Sequence, residues 1–249
     1  MTDDRDGTPI LAIEGLSKSF GGIVVVDDLS ITVGRDEVVG LVGPNGAGKT
    51  TLFNLVAGDL RPDGGRVHFD GADITGVRAD RLCRAGIGRT AQVPRPYGGM
   101  TVFENVLVGA VFGSGAPRSE RAALEPALAA LKQTGLADRA NTVAGRLGLL
   151  DRKRLELARA LATEPRLLML DEIAGGLTEA EVLQLVDTIR AIRGQGVAVV
   201  WIEHIVHALL AVVSRIVAMS FGRKIAEGEP SEVMASRAVQ EVYLGVVPA

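Results

Sequence analysis

Up to about Gly71, apolar positions fall in short β-branched runs separated by turn residues. Ile10–Leu16, Val24–Val33 and Glu37–Val42 are predicted strands, and a glycine-rich turn then leads into a helical run at Lys49–Ala57. From Thr101 the period changes. Thr101 and Glu104 form a T-x-x-E capping box ahead of Val106–Val111. Alanine- and leucine-rich helical patterns continue to Ala162, broken only at Gly113–Pro117. Strand and helix then alternate: Leu167–Leu170 strand, Glu179–Arg193 helix, Val197–Ile202 strand, Ile205–Val213 helix, Ile216–Met219 strand. Alternation of this kind implies an α/β fold with a mainly parallel sheet and helices on both faces. The expected organisation is a core at about 8–94 and 163–249 around a helical lobe at about 95–162, with residues 1–7 a disordered acidic tail.

Composition narrows the classes. At 249 residues and 47% apolar, the chain can bury a large core. A formal charge of −3 and only 4% aromatics give no footprint for nucleic acid, so none is expected as a partner. Cys83 is the sole cysteine, which excludes an internal disulfide or cysteine-cluster metal site and fits a reducing cytosol. No apolar run reaches the roughly 18–20 residues of a membrane span. The longest candidate, Val197–Met219, is interrupted by Glu203, His204, His207 and Arg215. Any membrane role is expected to come through a partner.

Gly43, Pro44, Asn45, Gly46, Ala47, Gly48, Lys49 and Thr50 satisfy G-x-x-x-x-G-K-[ST], with Thr51 next, between a predicted strand and a predicted helix. Glycines at 43, 46 and 48 are expected to let backbone N–H groups crowd phosphate oxygens, and the helix N-terminus adds a positive dipole end. Lys49 is expected to reach the β- and γ-phosphates, and Thr50 to ligate Mg²⁺. The run Leu167–Leu170 delivers Asp171 and Glu172 to the carboxyl edge of a sheet, where open α/β sheets bind ligands. Asp171 is the expected Mg²⁺ ligand and Glu172 the expected general base. Val197–Ile202 places His204 at the same kind of edge, as a candidate contact to the γ-phosphate or attacking water.

In this order the motifs resemble an ABC-transporter nucleotide-binding domain, and most of all the ATP-binding subunits of bacterial branched-chain amino-acid importers and their amide and urea relatives. Gly86–Gln92, Met100–Asn105, Ala174–Leu177, Ile202–His204 and Val242–Gly245 carry the likeness. The resemblance implies one domain over 1–249: a P-loop NTPase core, an N-terminal antiparallel β part and an inserted helical lobe. It implies Phe20 as the adenine-stacking aromatic. It also implies Gln92 as the glutamine that senses the γ-phosphate, a further Mg²⁺ ligand and catalytic group. ATP and Mg²⁺ are the implied cofactors. The implied partners are transmembrane permease subunits and a periplasmic or extracellular solute-binding protein, with this chain on the cytoplasmic face of the plasma membrane.

Three segments depart from the pattern. Where the family carries L-S-G-G-Q, this chain has Leu147, Gly148, Leu149, Leu150 and Asp151; the loop after Glu172 ends in Thr178 rather than Asp or Asn; and Ile173 stands where proline is usual. In the family these segments include those that reach the partner subunit's nucleotide. The departures therefore predict a heterodimer with a second, non-identical ATPase subunit. The alternative is a nucleotide-binding structural subunit with little hydrolysis of its own. A GTPase would need an N-K-x-D motif, and the chain has none.

Overall fold

The structure is a computed structural model and describes residues 7–115 and 118–244. Of the expected acidic tail only Gly7 is described; Ala116 and Pro117 of the expected break and Gly245 of the terminal phrase also lie outside the described residues. Contacts divide the chain into two compact units.

The first unit runs to Ala79 and adds Ala198–Ile202 and the chain from Val213 onward. β1 (Leu11–Phe20) pairs antiparallel with β2 (Ile23–Val33) and β4 (Gly64–Phe69), and β4 with β5 (Ala72–Asp73), in the order β2-β1-β4-β5. Gly21 and Gly22, both at positive φ, turn β1 into β2. In β2 the side chains of Val26, Leu29, Ile31 and Val33 are buried while residues between them face out, the mark of a half-buried strand. β3 (Val38–Val42) is buried throughout and runs parallel to both β8 (Ala198–Ile202) and β9 (Arg215–Ser220). Covering on both faces explains its unbroken apolar run. β10 (Arg223–Gly228) returns antiparallel on β9, and α1 (Lys49–Val56) follows the glycine-rich loop. The C-terminal helices α8 (Pro230–Ala235) and α9 (Arg237–Leu244) close the unit.

In the second unit β6 (Ile87–Arg89) pairs parallel with β7 (Leu167–Asp171), after α2 (Ala79–Ala85), which begins at its boundary. Helices α3 (Val102–Phe112), α4 (Glu120–Gln133) and α5 (Leu149–Ala162) bury a core of their own, built on Val102, Val106, Ala127, Leu131, Leu136 and Leu155. The expected capping box on α3 is present, Thr101 Oγ1 accepting from the Glu104 amide and Glu104 accepting from the Thr101 amide. α6 (Glu179–Ile192) and α7 (Val206–Leu210) complete the unit.

Most expected elements lie within a residue or two of their observed bounds. α7 is shorter than the expected helix at Ile205–Val213, because Arg190 Nε and Arg193 Nη1 donate to the carbonyls of Ala211 and Val212 and end the helix there.

Candidate functional site

In the first unit the glycine-rich loop is shaped by its glycines. A Cβ on Gly43 would sit 2.3 Å from the Met219 carbonyl oxygen, and one on Gly48 would sit 2.4 Å from that of Val25. Both residues also hold positive φ. These two are glycine because neighbouring backbone presses on them. Gly46 holds φ +80° with nothing within 4 Å of a Cβ, leaving its backbone open on that side.

Gly48 also caps α1 in a left-handed conformation without a side-chain hydrogen bond, so the first N–H groups of α1 have no side-chain cap. An uncapped helix start led by a lysine suits a polyphosphate. The Lys49 ammonium is buried and donates to the carbonyls of Gly43 at 2.6 Å and Pro44 at 3.0 Å, while Thr50 is exposed. Phe20 ends β1, 44% exposed as a residue, with Lys18 Nζ 5.4 Å from its ring centroid. Sequence reading missed one contact of the loop: the Tyr243 hydroxyl on α9 accepts from the Gly43 amide at 2.9 Å.

In the second unit β7 ends as expected on Asp171 and Glu172. Asp171 is buried, pairs with Arg89 at 3.2 Å, and its amide donates to Thr90 Oγ1 at 3.2 Å. Glu172 has a φ of +46°. Its Oε1 lies 2.5 Å from His204 Nε2, and its Oε2 accepts from Gln92 Nε2. The structure therefore brings three predicted residues together, Gln92, Glu172 and His204, with the carboxylate in the middle. Such a carboxylate, oriented on both sides and set where a strand ends, is equipped to take a proton from water.

Two further charges were not predicted. Lys153 on α5 is buried and donates to the carbonyls of Gln92 and Glu172. Burial pulls its ammonium below the usual lysine pKa, against the opposing pull of the carboxylates of Glu203, Glu172, Asp171 and Glu156. Glu203 is buried with its carboxyl pushed above the usual range by burial, against three backbone amides that favour the charged form. A charged residue within an amphipathic helix, or beside a histidine, carries no sequence mark of burial.

Gly148 caps α5 without a side-chain bond, and Leu149 is exposed. Thr178 caps α6 in a second capping box with Glu181, a task Asp or Asn would also perform. Ile173 is fully buried.

A glycine-rich loop at a helix start and a carboxylate pair ending a buried strand define a phosphate-binding-loop nucleotidase of the α/β class. The family described as ABC transporter matches residues 26–175, and the family described as branched-chain amino acid ATP-binding cassette transporter matches residues 223–248. The chain is 38% identical to the high-affinity branched-chain amino acid transport ATP-binding protein BraF of Pseudomonas aeruginosa, over 95% of this chain and 98% of that one. It is 34% identical to the corresponding protein LivG of Escherichia coli, over the same shares. Among solved structures, a nucleotide-free ATP-binding cassette from an ABC transporter superposes with a TM-score of 0.88 at 31% identity, covering 96% of this chain and 100% of that one. The chain belongs to the ABC transporter family and is an ATPase of that family. Among the described residues no helix is long and apolar enough to cross a membrane.

Proposed function

We propose that this chain energises the uptake of branched-chain amino acids, or of a related small polar solute, from the cytoplasmic face of the plasma membrane. In this reading it works with transmembrane permease subunits and a periplasmic or extracellular solute-binding protein, and the loop bearing Gln92 faces the permease. The match at residues 223–248 supports the substrate class. The observation that carries the chemistry is the Glu172 carboxylate held between His204 and Gln92.

Phe20 stacks on adenine. The loop from Gly43 through Gly48, with Thr51 after it, wraps the phosphates, although the amides of Gly43 and Ala47 already donate to the Tyr243 hydroxyl and the Pro44 carbonyl. Lys49 leaves the carbonyls of Gly43 and Pro44 for the β- and γ-phosphates. Thr50, Asp171 and Gln92 would hold Mg²⁺, which would offset phosphate charge when bound. Glu172 exchanges one of its two present bonds for a water and takes that water's proton, while His204 orients the γ-phosphate and water.

This chain acts beside a second, non-identical ATPase subunit. Gly148 offers no hydroxyl, Leu150 stands where glycine is usual, and the Thr178 hydroxyl is engaged with Glu181. The segments directed at a partner's nucleotide are thus altered, while those acting on the chain's own nucleotide are intact. The same departures favour a second reading, a structural subunit that binds ATP and hardly hydrolyses it. Reconstitution with the permease and partner ATPase in vesicles, followed by ATP-driven leucine uptake, separates them. The isolated chain is expected to bind ATP and hydrolyse it slowly. In the complex, Glu172→Gln in this chain is expected to abolish most uptake, and the equivalent change in the partner to be milder. Equal losses from both would overturn the asymmetry, and unchanged uptake in the Glu172→Gln complex would favour the structural subunit.

A further inference from the structure

Lys153 and Glu203 carry no role in the reaction described above, yet both spend a buried charge on the main chain around Glu172. Lys153 Nζ donates to the carbonyl of Gln92 at 2.8 Å and to that of Glu172 at 3.2 Å. Glu203 Oε2 accepts from the Ala174 amide at 3.1 Å, and its Oε1 from the amides of His204 at 2.9 Å and Ile205 at 3.4 Å. The two residues are only 4% and 2% exposed. Burying an ammonium or a carboxylate is costly unless charge-assisted bonds offset it.

All five bonds go to backbone groups, and they reach the three segments that bear Gln92, Glu172 and His204. Glu172 itself holds the left-handed backbone, which a non-glycine residue keeps only where its surroundings over-determine it. The Glu172 carbonyl and the Ala174 amide flank the turn just after that strained residue. One is held by the lysine on α5 and the other by the carboxylate beside His204, so opposite charges grip the same turn from two elements.

We propose that Lys153 and Glu203 are positioning residues for hydrolysis, an opposite-charge bracket that sets Gln92, Glu172 and His204 through their main chains. The proposal rests on the assignment of Glu172 as general base. Neither residue touches nucleotide in this account, so neither contributes to nucleotide affinity. Each acts on the rate by fixing where the three side chains point. A displacement near 1 Å at a reacting group costs up to about a hundredfold in rate.

The test is steady-state ATPase of the reconstituted complex, with Glu172→Gln as the control. Lys153→Met and Glu203→Gln are each expected to lower kcat at least about tenfold and to leave the KM for ATP within about twofold. Lys153→Arg, which keeps a donor for both carbonyls, is expected to recover most of the lost turnover. The double variant is expected to lose little more than the worse single one, because both residues hold one turn. Parental kcat in both single variants overturns the proposal, and so does a KM that worsens in step with kcat. Failure of Lys153→Arg to recover turnover overturns it as well. If Lys153→Met does not fold, Glu203→Asp decides: it keeps the charge but shortens the reach, and parental kcat there is equally contrary. A Glu172→Gln complex with parental activity would refute the base assignment itself, an outcome distinct from failure of the bracket.

Discussion

At Lys49 a single ammonium is folded onto the loop it belongs to, bonded to the carbonyls of Gly43 and Pro44. Those bonds keep the charge buried and satisfied. Lys49→Ala removes a charge-assisted contact of about 1.5–3 kcal/mol and is expected to weaken Mg·ATP binding roughly 10- to 150-fold by calorimetric titration. Unchanged affinity would contradict the loop assignment. Residues whose chemistry is declared by spacing, such as Lys49, Thr50, Asp171 and Glu172, were legible in the sequence. Gln92 was legible only through resemblance and His204 through the apolar strand that ends beside it, and the structure adds that both bond to Glu172. Lys153 and Glu203 were not legible, because their importance lies in burial, and burial of a lone charge is decided by which backbone groups surround it. The glycines illustrate the same limit from the other side. Gly43 and Gly48 were recognised, but the carbonyls of Met219 and Val25 that exclude a Cβ come from distant positions in the chain.

Elements were legible where a strong local signal bounded them. The buried runs that became β3, β7 and β8 are apolar without interruption, and α3 announces itself by its capping box. The C-terminal β10, α8 and α9 went unpredicted. No residue of β10 is fully buried, and its strand character comes from pairing with β9. Packing between helices was also silent in the sequence. Gly109 in α3 lets the backbone of α5 approach so closely that a Cβ would lie 2.5 Å from the Arg159 carbonyl oxygen. Backbone cannot yield as a flexible side chain can, so Gly109→Ala must push the helices apart. It is expected to cost about 1–3 kcal/mol in a denaturant titration. A variant as stable as the parent would show that α3 and α5 do not pack this tightly in solution.

For the whole molecule, most residues proposed for binding and those proposed for chemistry fall in different units of the chain. The phosphate loop, Lys49, Thr50 and Phe20 belong to the first, and Gln92, Asp171, Glu172 and His204 to the second. Changes in one should therefore be separable from changes in the other, with affinity following the loop and turnover following the carboxylate cluster. The central claim is that Glu172 is the base. The direct measurement is ATP binding and single-turnover hydrolysis by the Glu172→Gln variant beside the parent, both in the reconstituted complex. The account predicts retained ATP affinity with hydrolysis slowed by about 10²–10⁴-fold, the range for losing a general base. Hydrolysis at the parental rate, with nucleotide bound as before, would contradict it.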